Sequence, residues 1–224
     1  VVTSGGLFSL ALLGLIGFFL VYNGFEAIRA AGLGFITGFD WVDAIPEEGQ
    51  PAAYGVGAML YGTIVTGILA MIMGVPIAVG TALFLSYYAP QWLKKPMVVV
   101  VDVMAAIPSI VYGLWGYFVL MPHAEYWAKL IHKYFSFIPF FDMPAPVFTR
   151  SPFIAGLVLA IMITPIVTAV AREVFAQTPL ERIQAAYALG ATKWSMIKAV
   201  VIPYGRGGVI GGAMLGLGRA LGET

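Results

Sequence analysis

Long apolar runs alternate with shorter polar segments along the whole sequence. A membrane-spanning helix needs about 20 predominantly apolar residues, and five runs meet or approach that length. They are Leu7–Tyr22, Tyr54–Tyr88, Met97–Met121, Ser151–Val170 and Arg206–Thr224. The pattern predicts an all-α, polytopic membrane bundle with about five spans. Because the chain starts without a methionine and stops inside the fifth run, we expect it to be a fragment of a longer protein.

The first run has two interpretations, because a short apolar stretch near the N-terminus is also typical of a signal peptide. No small-residue cleavage motif follows this run cleanly, and further apolar runs come later. We therefore predict that residues 1–22 form a retained first transmembrane helix.

Charges in the polar connections orient the predicted spans. Asn23–Ala53 is mainly acidic and Pro122–Arg150 is rich in aromatic residues and proline, whereas Gln91–Pro96 and Ala171–Gly205 carry lysine and arginine. Basic connections face the cytoplasm in membrane proteins. We predict an extracytoplasmic loop at residues 23–53 and a helical core at residues 54–224, with a cytoplasmic connection at residues 171–203.

Composition excludes several classes of protein. The chain is 60% hydrophobic and 10% charged, whereas about a quarter of a soluble domain is charged. A net charge of +1 gives no reason to expect nucleic acid, and the lack of cysteine excludes disulfides and thiolate metal sites. There is no GxxxxGK[ST] phosphate loop, no metal-ligand pattern around His123 or His132 and no nucleophile–base pair, so an enzyme is not indicated.

The cytoplasmic connection has the pattern of two short helices. Pro179 is suited to a helix start, Gly190 to a tight turn between helices, and Thr192 to the start of a second helix that Pro203 ends. Such a pair would form either a docking knob with a small-residue surface or two amphipathic helices resting on the bilayer. The residue pattern alone leaves both interpretations open.

The last apolar run contains two charged residues one helical turn apart. Arg219 and Glu223 stand at i and i+4, so they share a helix face. An arginine at mid-bilayer costs about 2.5–3.5 kcal/mol and must face protein or water. The pair is therefore a structural ion pair, an arginine close enough to the interface to snorkel, or a substrate-lining site. In a substrate-lining site the guanidinium binds phosphate or carboxylate, and Glu223 holds the guanidinium in place or exchanges with the anion. The GxxxG spacings Gly212–Gly216 and Gly218–Gly222 predict close helix packing.

A proline interrupts the third run and is followed by two hydroxyl groups. Pro108 disturbs a helix and frees carbonyls that need partners. Ser109 and Tyr112 lie beside it and are candidate hydrogen-bond donors to a substrate. Thr63 and Thr66 in the second run could line the same polar path, or simply bond their own backbone. The alternative for Pro108 is a packing kink.

Two sets of residues resemble a known family. The stretch "QAAYALGATKWSMIKAVVIP" resembles the EAA loop of ABC-importer permeases, with Gln184 where that family usually has glutamate. Residues in register with the motif are Ala185, Ala186, Gly190, Val200, Ile202 and Pro203. The stretches "LYGTIVTG", "IPSIVYGLWGYFVL" and "IPYGRGGVIGGAMLGLGRALGET" are similar to PstC-type permeases of phosphate-specific (Pst) importers.

This resemblance implies a fold and a function. The implied fold is that of a type I, MetI-like ABC-importer permease with six spans in the full chain and about five here. The implied function is import of inorganic phosphate across the cytoplasmic membrane by alternating access. The substrate residues that the resemblance implies are Arg219 and Glu223, and the residue pattern at Pro108 adds Ser109 and Tyr112 as candidate substrate donors. The implied ATPase-coupling residues are Gln184, Ala185, Ala186, Gly190 and Pro203.

The resemblance also implies partners. These are a PstA-type permease, two PstB-type ATPases that bind ATP and Mg²⁺, and a periplasmic or lipid-anchored phosphate-binding protein of the PstS type. No cofactor is implied for this chain itself. The alternatives are a permease of the same architecture for sulfate or molybdate, a secondary anion symporter, and a membrane scaffold in which Arg219 and Glu223 are purely structural.

Overall fold

The computed structural model describes residues 2–42, 53–138, 148 and 151–223. Most of these residues are helical. Each element labelled π is a single turn of π-helix. The elements in chain order are α1 (Val2–Ala31), α2 (Gly34–Thr37), β1 (Trp41–Val42), β2 (Ala53–Tyr54), α3 (Gly57–Leu83), π1 (Phe84–Tyr88), α4 (Gln91–Ala106), α5 (Ser109–Trp115), π2 (Gly116–Leu120), α6 (Met121–Phe135), α7 (Pro152–Ala176), α8 (Leu180–Ala188), α9 (Lys193–Met196), π3 (Ile197–Val201) and α10 (Ile202–Glu223). The predicted all-α membrane bundle is confirmed, and the short strands β1 and β2 pair antiparallel.

The chain forms two compact units, Val1–Gly62 and Thr63–Thr224. In the first unit, α1 runs well beyond the predicted limit at Tyr22 and takes in the first nine residues of the predicted extracytoplasmic loop. No proline interrupts that stretch, and the helix ends where Gly32 adopts a φ of 56°, a conformation that glycine adopts at little cost. The acidic part of that loop, at residues 43–52, lies outside the described residues.

The second unit is organised around α7. Half of its most apolar 18-residue window is buried, and Ile163, Val167 and Ala171 are fully buried. α10 packs closely on α7 through glycines, because a Cβ on Gly216 would lie 2.9 Å from Val167 Cγ2. The structure thus places Gly212–Gly216 at a helix contact, whereas a Cβ on Gly218 or Gly222 would meet nothing within 4 Å in the described chain.

The predicted third span is not one helix. Within the described residues, four helices are long and apolar enough to cross a membrane, and the pair Gln91–Ala106 and Ser109–Phe135 is bent by 96° at the break between them. If this pair counts as one span, the total is the predicted five. The helix also continues through Phe135, so the first part of the predicted aromatic loop is the amphipathic helix α6. Residues 139–147, 149 and 150 of that loop lie outside the described residues.

The connection that we predict to be cytoplasmic contains the two predicted helical parts. α7 continues to Ala176, α8 starts directly after Pro179, and Gly190 turns the chain with a φ of 82°. The Thr192 hydroxyl then accepts a hydrogen bond from Ser195 N at 3.2 Å and caps α9. The predicted turn at Gly190 and helix start at Thr192 are therefore in place.

Pro203 does not end the second helix, contrary to the prediction. The helix runs without interruption from Lys193 to Glu223. Pro203 follows the π-helical turn π3, in which the Ile202 N–H donates to the Ile197 carbonyl five residues back. Membrane helices tolerate proline where local π adjustments provide new partners for freed backbone groups, and the φ that proline fixes is itself helical.

Candidate functional site

The break at Pro108 leaves backbone carbonyls at the end of α4. α4 ends at Ala106, Ile107 and Pro108 are extended with ψ of 130° and 140°, and α5 starts at Ser109. The last carbonyls of any helix lack intrahelical donors, and Pro108 has no N–H to offer. The end of α4 therefore needs donors from elsewhere in the fold.

Arg219 supplies two of those donors from α10. Its Nη1 donates to the Ala105 carbonyl at 3.3 Å, and its Nη2 donates to the Ile107 carbonyl at 3.1 Å. The side chain is half-buried, and a cation at a helix C-terminus also interacts favourably with the helix dipole. Arg219 thus faces protein and bridges two helices that are far apart in the sequence.

Tyr112 lies at the same break. Its hydroxyl donates to the Met104 carbonyl at 2.8 Å, and only 6% of the residue is exposed. It belongs to one buried apolar cluster with Ala220, the neighbour of Arg219, and Ile107 packs against that cluster. The hydroxyl proton predicted to bind a substrate is therefore directed to the backbone in this structure.

Ser109 is the first residue of α5 and is half-buried. It lies two residues from Ile107, whose carbonyl binds Arg219. The structure therefore brings the predicted Ser109, Tyr112 and Arg219 to one break in one membrane helix. The sequence signal for this arrangement was Pro108, but the acceptors of the guanidinium, the carbonyls of Ala105 and Ile107, have no signature in residue type.

Glu223 does not pair with Arg219, a contact that the sequence left open. Among the described residues, the ion pairs within 4.0 Å are Lys129–Glu125 and Arg172–Asp102. Glu223 is exposed and lines a separate, largely apolar cavity of about 480 Å³. The terminal nitrogens of Arg219 are bonded to the end of α4, which explains why the i, i+4 spacing alone does not form the pair.

Three hydroxyl-bearing residues share the cavity with Glu223. They are Thr66 from α3, Tyr117 from π2 and Ser151 at the start of α7. The Thr66 hydroxyl also donates to the Thr63 carbonyl at 3.1 Å, which is the local bond that threonine commonly makes in membrane helices. The cavity can therefore offer one carboxylate and several hydroxyl groups to a polar ligand.

The predicted coupling segment separates into an exposed face and an anchored face. Gln184, Ala185 and Gly190 are exposed, and Leu189 is 90% exposed. Ala186, in contrast, packs against a buried cluster.

Two cation–π contacts hold the segment to the spans. The Arg182 guanidinium lies 5.8 Å from the centre of the Tyr204 ring, and Lys193 Nζ lies 4.8 Å from the centre of the Tyr88 ring. The segment is therefore a knob fixed to the membrane helices, with an exposed outer surface.

No metal centre is found among the described residues. Across residues 2–42, 53–138, 148 and 151–223, no group of three or more His, Asp or Glu side chains is placed to hold a metal ion.

Comparison with known proteins places this arrangement in a family. Residues 74–224 match the model of the family described as "Binding-protein-dependent transport system inner membrane component". This matched region contains the Pro108 break, the knob and Arg219.

Several curated proteins are similar over most of the chain. The "Phosphate transport system permease protein PstC 2" of Mycobacterium tuberculosis (strain ATCC 25618 / H37Rv) is 44% identical over 212 residues, which cover 94% of this chain and 64% of that protein. The "Phosphate transport system permease protein PstC" of Xylella fastidiosa (strain 9a5c) is 41% identical over 211 residues, which cover 92% of this chain and 62% of that protein. The chain thus spans less than two thirds of the length of these relatives. On the family match and the helical architecture together, the chain is a multi-pass membrane protein of the binding-protein-dependent transport system inner membrane component family.

Proposed function

We propose that this chain is the permease subunit that carries inorganic phosphate across the cytoplasmic membrane in an ATP-driven importer. Two lines of support are the family match and the names of the relatives, which are phosphate transport permeases. The observation that carries the proposal is the placement of Arg219, a half-buried cation held at a broken membrane helix. A secondary symporter and a scaffold are not favoured by this combination.

The guanidinium keeps donors for an anion. Arginine has five N–H donors, and two of them are directed to the carbonyls of Ala105 and Ile107. A phosphate that leaves water needs charge-assisted hydrogen bonds in place of its hydration. The remaining donors of Arg219 and the Ser109 hydroxyl would supply them, and a phosphate oxygen would also compete with the two carbonyls for the guanidinium.

Tyr112 and Glu223 take different roles in this proposal. The Tyr112 hydroxyl holds the Met104 carbonyl and so preserves the break that positions Arg219. The Glu223 carboxylate, in its own cavity, would accept a hydrogen bond from the P–OH group of monobasic or dibasic phosphate along the path. This acceptor favours a protonated oxyanion over sulfate or molybdate, which are fully ionised.

The knob would transmit ATP hydrolysis in partner subunits to the spans. Gln184, Ala185 and the Gly190 turn would contact an ATPase that binds ATP and Mg²⁺. Ala186 and Pro203 would act on the membrane side of the knob, since Ala186 packs inward and Pro203 lies in the helix that leads to Arg219. Closure of the two ATPases would then move the spans as rigid bodies between inward-facing and outward-facing states.

The full assembly implied by this role has four kinds of subunit. This chain would pair with a PstA-type permease, with two PstB-type ATPases on the cytoplasmic side and a PstS-type phosphate-binding protein on the other side. The permease makes and breaks no covalent bond in its cargo. The presence of each of these other subunits is proposed together with the role of this chain.

Phosphate uptake tests the proposal in cells that lack their own importer and express the full-length chain with its partners. With Arg219→Gln we expect an assembled complex without uptake, because the neutral amide cannot replace the cation. Arg206→Gln is the matched control, since Arg206 is an exposed arginine on the same helix, and it should keep uptake. Uptake by Arg219→Gln at the control rate would contradict the proposal, and competition by excess sulfate or molybdate would reassign the substrate.

A third variant tests the knob separately. Gly190 has a φ of 82°, so Gly190→Asp strains the turn and places a charge on the exposed surface. We expect the ATPase to be lost from the purified complex while the permease still inserts in the membrane. Retention of the ATPase in full amount would contradict the docking role of the knob.

A further inference from the structure

A second cavity, with a more polar lining, lies at the end of the second unit that carries Lys94 and Arg172. The proposed function orients this end toward the cytoplasm. The cavity has a volume of about 500 Å³ and lies between π1, the start of α4, the end of α7 and α8. Its polar lining comes from Ser86, Tyr87, Lys94, Arg172, Glu173 and Thr178. It shares no residue with the cavity of Glu223, and it contains none of the residues assigned above to phosphate transport.

Three buried polar atoms that line this cavity have no hydrogen-bond partner in the described part of the chain. They are Ser86 Oγ, Arg172 Nε and Thr178 Oγ1. Buried polar groups in folded proteins are almost always hydrogen-bonded, so each exception needs an explanation. That all three can donate and line one cavity suggests a ligand with more than one acceptor atom.

The charges around the cavity favour an anion. Lys94 and Arg172 contribute two cations to the lining, against the single carboxylate of Glu173, which is exposed. Asp102 engages one terminal nitrogen of Arg172 at a long 3.5 Å and is itself half exposed. The Nε of Arg172 remains directed elsewhere, so the guanidinium keeps donors for a second acceptor.

The hydroxyl groups in the lining are consistent with a small oxyanion. Tyr87 donates its proton to the Phe175 carbonyl at 3.0 Å, which joins π1 to the end of α7 and fixes one wall. A tetrahedral phosphate group presents oxygens in several directions and binds an ammonium, a guanidinium and a hydroxyl at once. A metal cation would instead meet two positive side chains and donor hydrogens.

We propose that this cavity binds a phosphate group at the cytoplasmic face, through Lys94, Arg172 and Ser86. The group would come from the headgroup of an anionic phospholipid or from free inorganic phosphate. Leu180 and Ile183 of α8 line the same cavity, and Ile183 packs against the buried cluster under the knob. An occupied site would therefore bias the position of α8 and regulate coupling. The coupling and the cytoplasmic orientation of the site both rest on the proposed function, whereas binding of the phosphate group does not.

Ligand-dependent thermal stability of the purified complex tests this site. The full-length chain is prepared with its partners, delipidated, in an Arg219→Gln background that removes the transport site from the measurement. The unfolding midpoint is followed against inorganic phosphate, and separately against short-chain phosphatidylglycerol, with chloride at matched ionic strength as the reference. Stabilisation by phosphate identifies the free anion as ligand, and stabilisation by the lipid alone identifies the headgroup.

Substitutions in the lining decide whether the effect belongs to this cavity. Lys94→Gln should weaken the stabilising ligand about tenfold, because one charge-assisted bond is lost. Lys95→Gln is the matched control, an exposed neighbour outside the lining, and should leave the ligand dependence unchanged. Ser86→Ala should also weaken the ligand, and should raise the midpoint without ligand because it removes an unpaired buried hydroxyl. No stabilisation by either ligand, or equal stabilisation in Lys94→Gln, overturns the proposal.

Discussion

Two prolines in the second unit have opposite effects on the helices that contain them. At Pro108 the helix stops and turns by 96°, whereas at Pro203 the helix continues for another 20 residues to Glu223. Both prolines lack the same N–H. The difference lies in the hydrogen bonds around each proline. At Pro108 the exposed carbonyls accept hydrogen bonds from the side chains of Tyr112 and Arg219. At Pro203 the helix itself adjusts, through a π-helical turn just before the proline.

This comparison shows that a proline alone does not determine the path of a membrane helix. A sharp break persists at membrane depth only where other groups satisfy the exposed backbone. Arg219 and Tyr112 do so at Pro108, and they thereby bring a cation to an interior position. The break and the candidate site are therefore one feature.

The largest effect is expected from removing the guanidinium. Arg219→Leu leaves the carbonyls of Ala105 and Ile107 without donors at a partly buried position, which costs about 1–3 kcal/mol for each group. We expect the free energy of unfolding in mixed micelles to fall by about 2–4 kcal/mol. Arg206→Leu is the control and should change it by no more than about 0.5 kcal/mol. Equal stabilities of the two variants would show that the bonds to the carbonyls contribute nothing.

Removing the proline should straighten the break. Pro108→Ala restores an N–H that can bond to the Met104 carbonyl, and so favours a continuous helix. These 224 residues contain no cysteine, so spin labels can be placed at Val99 in α4 and at Phe118 in π2, both well exposed. The two labels lie on opposite sides of the break. We expect a new population of label-to-label distances near roughly 30 Å, the separation in a straight helix. We also expect uptake to become about tenfold slower, which corresponds to a barrier higher by about 1.4 kcal/mol. An unchanged distance distribution would contradict a role for Pro108 in the break.

Removing one hydroxyl should have a smaller effect. Tyr112→Phe keeps the packing of the buried ring and deletes only the bond to the Met104 carbonyl. We expect a loss of about 1 kcal/mol in stability and a modest decrease in uptake rate. Tyr126→Phe is the matched control, because Tyr126 is 63% exposed and lies outside the lining of the Glu223 cavity. A greater loss in the control than in Tyr112→Phe would contradict the proposed role of the hydroxyl.

The smallest effect is expected at the second proline. Pro203→Ala removes a residue whose missing N–H is already accommodated by π3, so we expect a change in stability of no more than about 1 kcal/mol. Spin labels on either side of position 203 should show the same distance in both proteins. A large change would mean that Pro203 shapes the helix as strongly as Pro108 does.

The sequence predicted the parts of the site better than their contacts. Pro108 and Arg219 both stood out because each is costly in an apolar helix. The contact between Arg219 and the break could not be predicted. Its acceptors are backbone carbonyls, which every type of residue carries, so the sequence does not identify them. For the same reason the i, i+4 spacing left open whether Arg219 and Glu223 form an ion pair. In the structure the guanidinium is bonded to backbone carbonyls and that pair is not formed.

The helical boundaries show a similar limit. Gly190 and Thr192 act locally, through a positive φ and a side-chain cap, and their predicted roles are found in the structure. Pro203 acts through the hydrogen bonds of a neighbouring turn, which hydropathy does not report. The second cavity was not predicted either, because Arg172 is distant in the sequence from Ser86 and Lys94, and the three residues share no sequence pattern.

Chemical rescue at position 219 tests the central claim most directly. Arg219→Cys in the full importer introduces a unique thiol into this chain, and a methanethiosulfonate reagent then adds either an aminoethyl cation or a neutral methyl group. If Arg219 offers its charge to phosphate in a water-accessible cleft, the thiol reacts, phosphate slows the reaction, and only the cationic adduct partly restores uptake. A thiol that resists modification in every state, or equal restoration by the neutral adduct, would contradict the account.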